Sequence, residues 1–329
     1  MWNNLFGKWH TVYFTSPKIP FDNIFEGGIE EDLIRLIDNT KKTLDVAVFE
    51  FDLENVAQSL IRAHRRGVRV RLVYDNQFSD YLTIKSLVDA GIATVPDNRS
   101  AYMHNKFFIF DRKYVWTGSF NISLNSAYRN NENAVVIFDR LLARNYSLEF
   151  EEMFVGKFGK TSPDNTDDIF SIRGVRVENY FAPEAEVIGH IINLVRTAKR
   201  HIHFLAFSFT DDSLADALIE MMSAGISVSG VFESRGSHRS SSKYSKLLQA
   251  GAAVMRDANP RTMHHKVFII DGRLVIFGSY NFSSNAAQVN DENLLVIFDP
   301  FLAGKYETEF QKIFARASKP KAARKPKRS

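Results

Sequence analysis

The sequence predicts an α/β protein built from two tandem units, each a mixed β-sheet flanked by helices. Three observations lead there. The stretch "MHNKFFIFDRKYVWTGSFNIS" (Met103–Ser123) recurs as "MHHKVFIIDGRLVIFGSYNFS" (Met263–Ser283), displaced by 160 residues. The match extends beyond it: "NENAVVIFD" answers "DENLLVIFD", and "LDVAVFEFDLENVAQSLIRAHRRGVRVRLVYD" aligns with "IHFLAFSFTDDSLADALIEMMSAGISVSGVFE" at a lag of 158. Self-similarity on this scale marks a duplicated unit of domain size, not a solenoid of short repeats. Within each unit, apolar runs of strand length alternate with helical patterns, the order of a layered α/β fold.

Each element follows from local chemistry. The run Leu44–Phe51 reads as a buried strand. Asp52 is placed to N-cap the helix after it, and Gly67 stops that helix at Arg65-Arg66. "VRVRLVYD" alternates and reads as a second strand, so "RRGVRVR" marks a helix end and the wet face of a strand. A short helix over Thr83–Ala90 closes at Gly91, and the repeated motif supplies two more strands about a turn at Asp111–Lys113. The boundaries predicted are a first unit over 8–157, a linker over 158–173, a second unit over 174–315 and a disordered basic tail over 316–329. The linker assignment rests on "GKFGKTSPDNTDDIFSIRG", whose Gly, Ser, Pro and Asp oppose regular structure.

Composition narrows the classes. An apolar content of 45% in 329 residues is enough for about two cores. The chain has no cysteine, which excludes disulfides, thiolate zinc sites and iron–sulfur clusters. No leader pattern and no apolar run of membrane-spanning length is present, so a soluble, cytoplasmic protein is expected. The tail "RASKPKAARKPKRS" holds seven of the 42 Lys and Arg, leaving the rest of the chain slightly acidic against 38 Asp and Glu. A tail of that composition suits contact with a polyanion, either nucleic acid or an anionic phospholipid membrane surface.

The repeated motif carries the chemistry. Side chains two apart on a strand share a face, so His104 and Lys106 point together about 6 to 7 Å apart, as do His264 and Lys266. Gly118 and Gly278 allow a tight turn or close approach, and Ser119 with Asn121, and Ser279 with Asn281, again share a side. An imidazole, an ammonium, a hydroxyl and a carboxamide together suit a phosphate. A metal site fits poorly, since each set has one histidine and a lysine that repels cations. Glu132 and Glu292 can each fix the tautomer of an imidazole. Asp111 and Asp271 lie at the hairpin turns, about 17 Å from the lysines, and read as structural.

The pattern H-x-K-x4-D-x6-G-S-x-N, present as His104, Lys106, Asp111, Gly118, Ser119, Asn121 and again as His264, Lys266, Asp271, Gly278, Ser279, Asn281, resembles the paired signature of the phospholipase D superfamily. The "NEN" segment is similar to that of its small bacterial endonucleases. The resemblance implies two motifs facing one cleft with pseudo-twofold symmetry. It implies a metal-independent phosphodiesterase, needing no cofactor, in which His104 attacks phosphorus and His264 serves as general acid and base. Lys106, Lys266, Asn121 and Asn281 would hold the phosphoryl oxygens, Ser119 and Ser279 would assist, and Glu132 and Glu292 would orient the imidazoles.

Weaker signals remain. "SRGSHRSSSKYSK" is basic and Ser-rich, and Arg235 and Arg239, with His238 and Lys243, are candidates for contact with a substrate backbone. His201 and His203 share a strand face, but their counterparts are Thr43 and Asp45, so the repeat gives them no support as a site. The 28 phenylalanines fit buried motif strands. The favoured substrate is a nucleic-acid phosphodiester; the alternatives are a phospholipase D acting on glycerophospholipids and a phosphate-binding scaffold without turnover. One chain holds both halves of the site, which predicts a monomer with no obligate protein partner.

Overall fold

The computed structural model describes residues 9–317. In the first half, β1 (His10–Phe14) and α1 (Glu30–Asn39) precede β2 (Thr43–Val48), α2 (Glu54–Arg65), β3 (Arg69–Tyr74), α3 (Leu82–Asp89) and β4 (Ala93–Pro96). Then come β5 (Lys106–Phe110), β6 (Tyr114–Gly118), α4 (Leu124–Tyr128), β7 (Asn133–Ile137) and the long α5 (Arg140–Phe154). The second half opens with β8 (Ile169–Ile172), β9 (Val175–Ala182), α6 (Val187–Val195), β10 (His201–Ala206), α7 (Asp212–Ser223), β11 (Ser227–Phe232), α8 (Tyr244–Gln249) and β12 (Ala253–Arg256). It closes with β13 (Lys266–Ile270), β14 (Leu274–Gly278), α9 (Ser284–Gln288), β15 (Glu292–Ile297) and α10 (Pro300–Ala317).

Two mixed sheets result. Among the described residues the first has the order β1-β7-β6-β5-β2-β3-β4 and the second β12-β11-β10-β13-β14-β15-β9-β8. In each, three parallel strands join an antiparallel set through the β2–β5 or β10–β13 pair. The motif strands are apolar on both faces because both are covered. Phe108 packs outward with Leu60 and Leu33 of the outer helices, while Phe107 and Ile109 enter a core shared by the two halves. Tyr146 and Phe150 of α5 and Tyr306 and Phe310 of α10 lie in that shared core with Val267 and Phe277. Burying each such aromatic contributes roughly 1.5–3 kcal/mol, which holds the two halves as one body.

Several expectations are corrected. Asp52 does not cap α2; its carboxylate accepts from the Leu124 N–H at 2.7 Å and so caps α4 instead. Residues 169–172, expected to be irregular linker, form β8, because an Ile-Phe-Ser-Ile stretch followed by the Arg173-Gly174 turn pairs with β9. Arg71 is not on a wet face but buried, its charge met by Asp45 at 2.7 Å and Glu151 at 2.8 Å. Arg316 and Ala317, assigned to the tail, continue α10; the rest of the tail lies outside the described residues. Gly67 ends α2 as expected, with φ +87°.

Asp111 and Asp271 turn the motif hairpins with φ of 52° and 56°. Asp271 accepts from the backbone N–H groups of Lys199, Arg200 and His201 at 2.8–3.0 Å, and Asp111 bonds Lys41, Lys42 and Thr43 in the same way. Burial opposes ionisation of Asp271, yet these donors hold it below its ordinary range. Asp271→Ala is expected to cost about 1–3 kcal/mol, read as a lower urea midpoint at unchanged slope. Because the folded-state value is depressed, that contribution is present above about pH 4 and lost as pH falls below it. An unchanged midpoint would remove the structural role.

Candidate active site

The residues just before β5 and β13 are stitched to the opposite half. The His104 N–H donates to the Asp291 carbonyl and the His264 N–H to the Asn131 carbonyl, both at 2.9 Å, and Asp291 and Asn131 donate back to Tyr102 and Thr262. Each histidine thus hangs from a strand of its own half beside the segment leading to the other half's glutamate. The consequence is a crossed pairing. His104 Nδ1 lies 2.7 Å from Glu292 Oε2, and His264 Nδ1 lies 3.0 Å from Glu132 Oε2. With Nδ1 of each ring engaged by a carboxylate, Nε2 is the remaining ring nitrogen.

The serines stand behind the carboxylates. Ser119 donates to Glu132 and Ser279 to Glu292, each at 2.6 Å, and each also accepts from the backbone N–H of Asn133 or Asn293. Both serines are fully buried, so the direct contact with phosphate expected of them is replaced by a positioning role. Gly118 and Gly278 make this possible, since a Cβ at either position would collide with the Asn133 or Asn293 carbonyl oxygen. The lysines complete each set: Lys106 Nζ donates to the His104 carbonyl at 2.7 Å and Lys266 Nζ to that of His264 at 2.8 Å. Asn121 and Asn281 border the same site, and the side-chain oxygen of each is buried without a partner among the described residues. The Asn121 amide nitrogen donates to Glu50 at 3.5 Å.

Burial governs the charges. It pushes Lys106 down to about 8 and Lys266 to about 7, so both ammonium groups are poised near neutrality. His104 is held well below its ordinary range by burial and then by Lys106 and Lys266; His264 is lowered too, by burial against the opposing pull of Glu132. Burial also opposes ionisation of both carboxylates. Glu132 nonetheless sits below its usual range through His264 and Lys266, whereas Glu292 is pushed up to about 8. One structural difference matches this: Glu132 receives a second hydroxyl bond from Ser126 at 2.8 Å, and the corresponding residue in the other half is Ala286.

Two site residues escaped the sequence reading. Phe49 meets the His104 ring edge at 4.9 Å and lies 5.1 Å from Lys106 Nζ; Phe207 does the same for His264 at 4.5 Å and Lys266 at 4.7 Å. Their signal was the Phe-x-Phe repeated at the end of β2 and β10. Arg235 and Arg239 line a cavity of about 350 Å³ together with Phe207, Ser237, Ser242 and Thr262, beside His264. Lys243 does not line it, and its ammonium is held by Asp212 at 2.7 Å; Arg235 is itself paired with Glu233 at 3.2 Å and with the Thr262 hydroxyl at 2.7 Å.

The family whose model describes the PLD-like domain of cardiolipin synthase matches residues 33–154 and 191–314, most of the chain. The chain belongs to the phospholipase D superfamily. A curated relative, the mitochondrial cardiolipin hydrolase of Chlamydomonas reinhardtii, is 32% identical over 127 residues, covering 39% of this chain and 57% of the relative. A phospholipase D of Rickettsia bellii is 33% identical over 131 residues, or 40% of this chain and 65% of that protein. The chain therefore spans less than two thirds of the length of these relatives. The phosphatidylserine synthase structure of Haemophilus influenzae Rd KW20 superposes with a TM-score of 0.68 at 14% identity, over 88% of this chain and 84% of that one, which shows the shared superfamily fold. Among the described residues no helix is long and apolar enough to cross a membrane.

Lys106 lowers the titration of both members of the His104–Glu292 pair, so its removal must raise it. Lys106→Met is expected to move the pair's midpoint up by roughly one unit, followed by NMR of labelled imidazole. A downward shift would contradict the assigned electrostatics.

Proposed function

We propose that the protein is a phosphodiesterase that cleaves nucleic-acid backbones through a covalent phosphohistidine, without a metal. His104 Nε2 attacks phosphorus while His264 gives its proton to the departing oxygen, so that the P–N bond forms as the P–O bond breaks. Water then attacks phosphorus and transfers a proton to His264, and the P–N electron pair returns to His104. Lys106, Lys266, Asn121 and Asn281 hold the non-bridging oxygens through the five-coordinate state. Burial and the two lysines keep His104 neutral, which suits a nucleophile.

The observation that carries the nucleic-acid reading is the unequal rim of the cleft. After β3, the first half places Phe78 and Tyr81; the repeat puts Gly236 and Arg239 there in the second half. Tyr102 and Phe78 pack on Phe49 at 5.3 and 5.0 Å, forming an aromatic edge beside His104, opposite the Arg235 and Arg239 cavity beside His264. A scissile phosphate with a planar ring on one side and a further anion on the other is a nucleotide strand. A second reading is hydrolysis of a phospholipid carrying two phosphates, favoured by the relatives named cardiolipin hydrolases and by Leu82, 81% exposed beside Tyr81.

Single-stranded DNA and cardiolipin vesicles, assayed in parallel with EDTA, separate the readings. DNA cleavage that persists in EDTA is expected; lipid turnover alone would select the second reading. Brief reaction with DNA carrying 32P at the scissile phosphate should label the protein in His264→Asn and not in His104→Asn, and the reverse pattern would exchange the two roles. Arg235→Ala with Arg239→Ala should weaken DNA binding and make its log–log salt dependence shallower by about 0.7 for each phosphate no longer neutralised. An unchanged slope would remove these arginines from the interface.

A further inference from the structure

The spot where β10 faces α10 differs chemically from its counterpart in the first half. There, β2 faces α5 through Asp45, Arg71 and Glu151, with the guanidinium bonded to both acids at 2.7–2.9 Å and Arg112 adding a second cation at 3.1 Å. A fixed positive charge joins strand to helix. In the second half the register is the same, His203 pairing with Ser229 as Asp45 pairs with Arg71, so the arginine position is occupied by serine. What remains is His201, His203 and, from α10, Glu307.

These three side chains each offer a ligand atom, all within 4.8 Å of one another. His-x-His on one strand projects both imidazoles to the same face, here with ring centroids 4.6 Å apart. The surroundings fix the ligands. His203 stacks on Phe310 at 4.4 Å and 10°, its Nδ1 lies 2.8 Å from Glu307, and Gln311 donates to the same carboxylate at 2.8 Å.

We infer that His201, His203 and Glu307 form a structural site for a divalent transition-metal ion, zinc by its ligand chemistry, which clips α10 to β10 as Arg71 clips α5 to β2. Two imidazoles and one carboxylate are a familiar zinc donor set, with bonds of about 2.0–2.2 Å, so the three side chains close by about an ångström around the ion. The Gln311 hydrogen bond to Glu307 and the Phe310 ring stacked on His203 supply the outer support such ligands need. The two histidines lie three and five residues, about 10 and 17 Å, along β10 from its end at the cleft, so the ion takes no part in phosphoryl transfer.

Zinc and cobalt titrations of the full chain, freed of metal by EDTA and dialysis, test this directly. One saturable zinc site by calorimetry, cobalt absorption bands of a nitrogen–oxygen site and a zinc-dependent rise in Tm are expected. His201→Gln should weaken binding at least about tenfold, in keeping with the loss of a ligand. Ser229→Arg, which restores the first half's cation, should abolish binding and the Tm shift while raising the metal-free Tm. DNA cleavage in EDTA should be unchanged by His201→Gln, which separates failure of this site from failure of the catalytic reading. Absence of saturable binding, or equal binding by the parent and both variants, would overturn the inference.

Discussion

The hydrogen bond between each motif imidazole and a carboxylate of the other half is the constraint on which the rest depends. A buried hydrogen bond contributes about 0.5–1.5 kcal/mol, more where one partner is charged as Glu132 is, and leaving either partner unmet costs about 1–3 kcal/mol. The halves must therefore meet in one register. A polar seam within the shared core enforces it. Tyr306 of α10 donates to Asn133 at 3.0 Å, Tyr146 of α5 donates to Asn293 at 3.1 Å, and the two asparagines reach His265 and Asn105 across the interface at 2.8 Å. The residue between each His and Lys thus locks the halves together while its neighbours face the cleft. Neither half alone can orient its own histidine.

Much of this was legible in the residues. The duplication exposed both motifs, apolar runs located the strands, and strand parity put His104 with Lys106 and Asn105 on the other face. Parity says which side chains share a face, though not which chain segment lies opposite, so the crossing of Glu132 to His264 was out of reach. The serines misled for a related reason: a hydroxyl two residues from Asn121 can turn toward a ligand or back toward a carboxylate, and only the depth of Ser119 decides it. Asp52 failed as a cap because α4 competes for the same carboxylate. Residues 169–172 failed as linker because pairing with β9 outweighs the composition around them.

Departures from the repeat are as informative as the repeat. Where both halves agree, at the His, Lys, Ser, Asn and Glu of the motif, the chemistry is twofold. Where they differ, the substrate or the stability problem is not. Tyr81 against Arg239 makes the two rims of the cleft chemically unequal. Ser126 against Ala286 gives Glu132 a second hydroxyl donor that Glu292 lacks, and Arg71 against Ser229 exchanges a guanidinium for a pair of imidazoles.

The most direct test of the crossed arrangement is imidazole NMR titration of His104 and His264 in Glu132→Gln and Glu292→Gln. Removing a carboxylate's negative charge lowers the titration of the histidine it touches. The account predicts that Glu132→Gln lowers His264 and leaves His104 in place, and that Glu292→Gln perturbs His104, by loss of its Nδ1 partner, and leaves His264 in place. Each substitution shifting the histidine of its own half would contradict it.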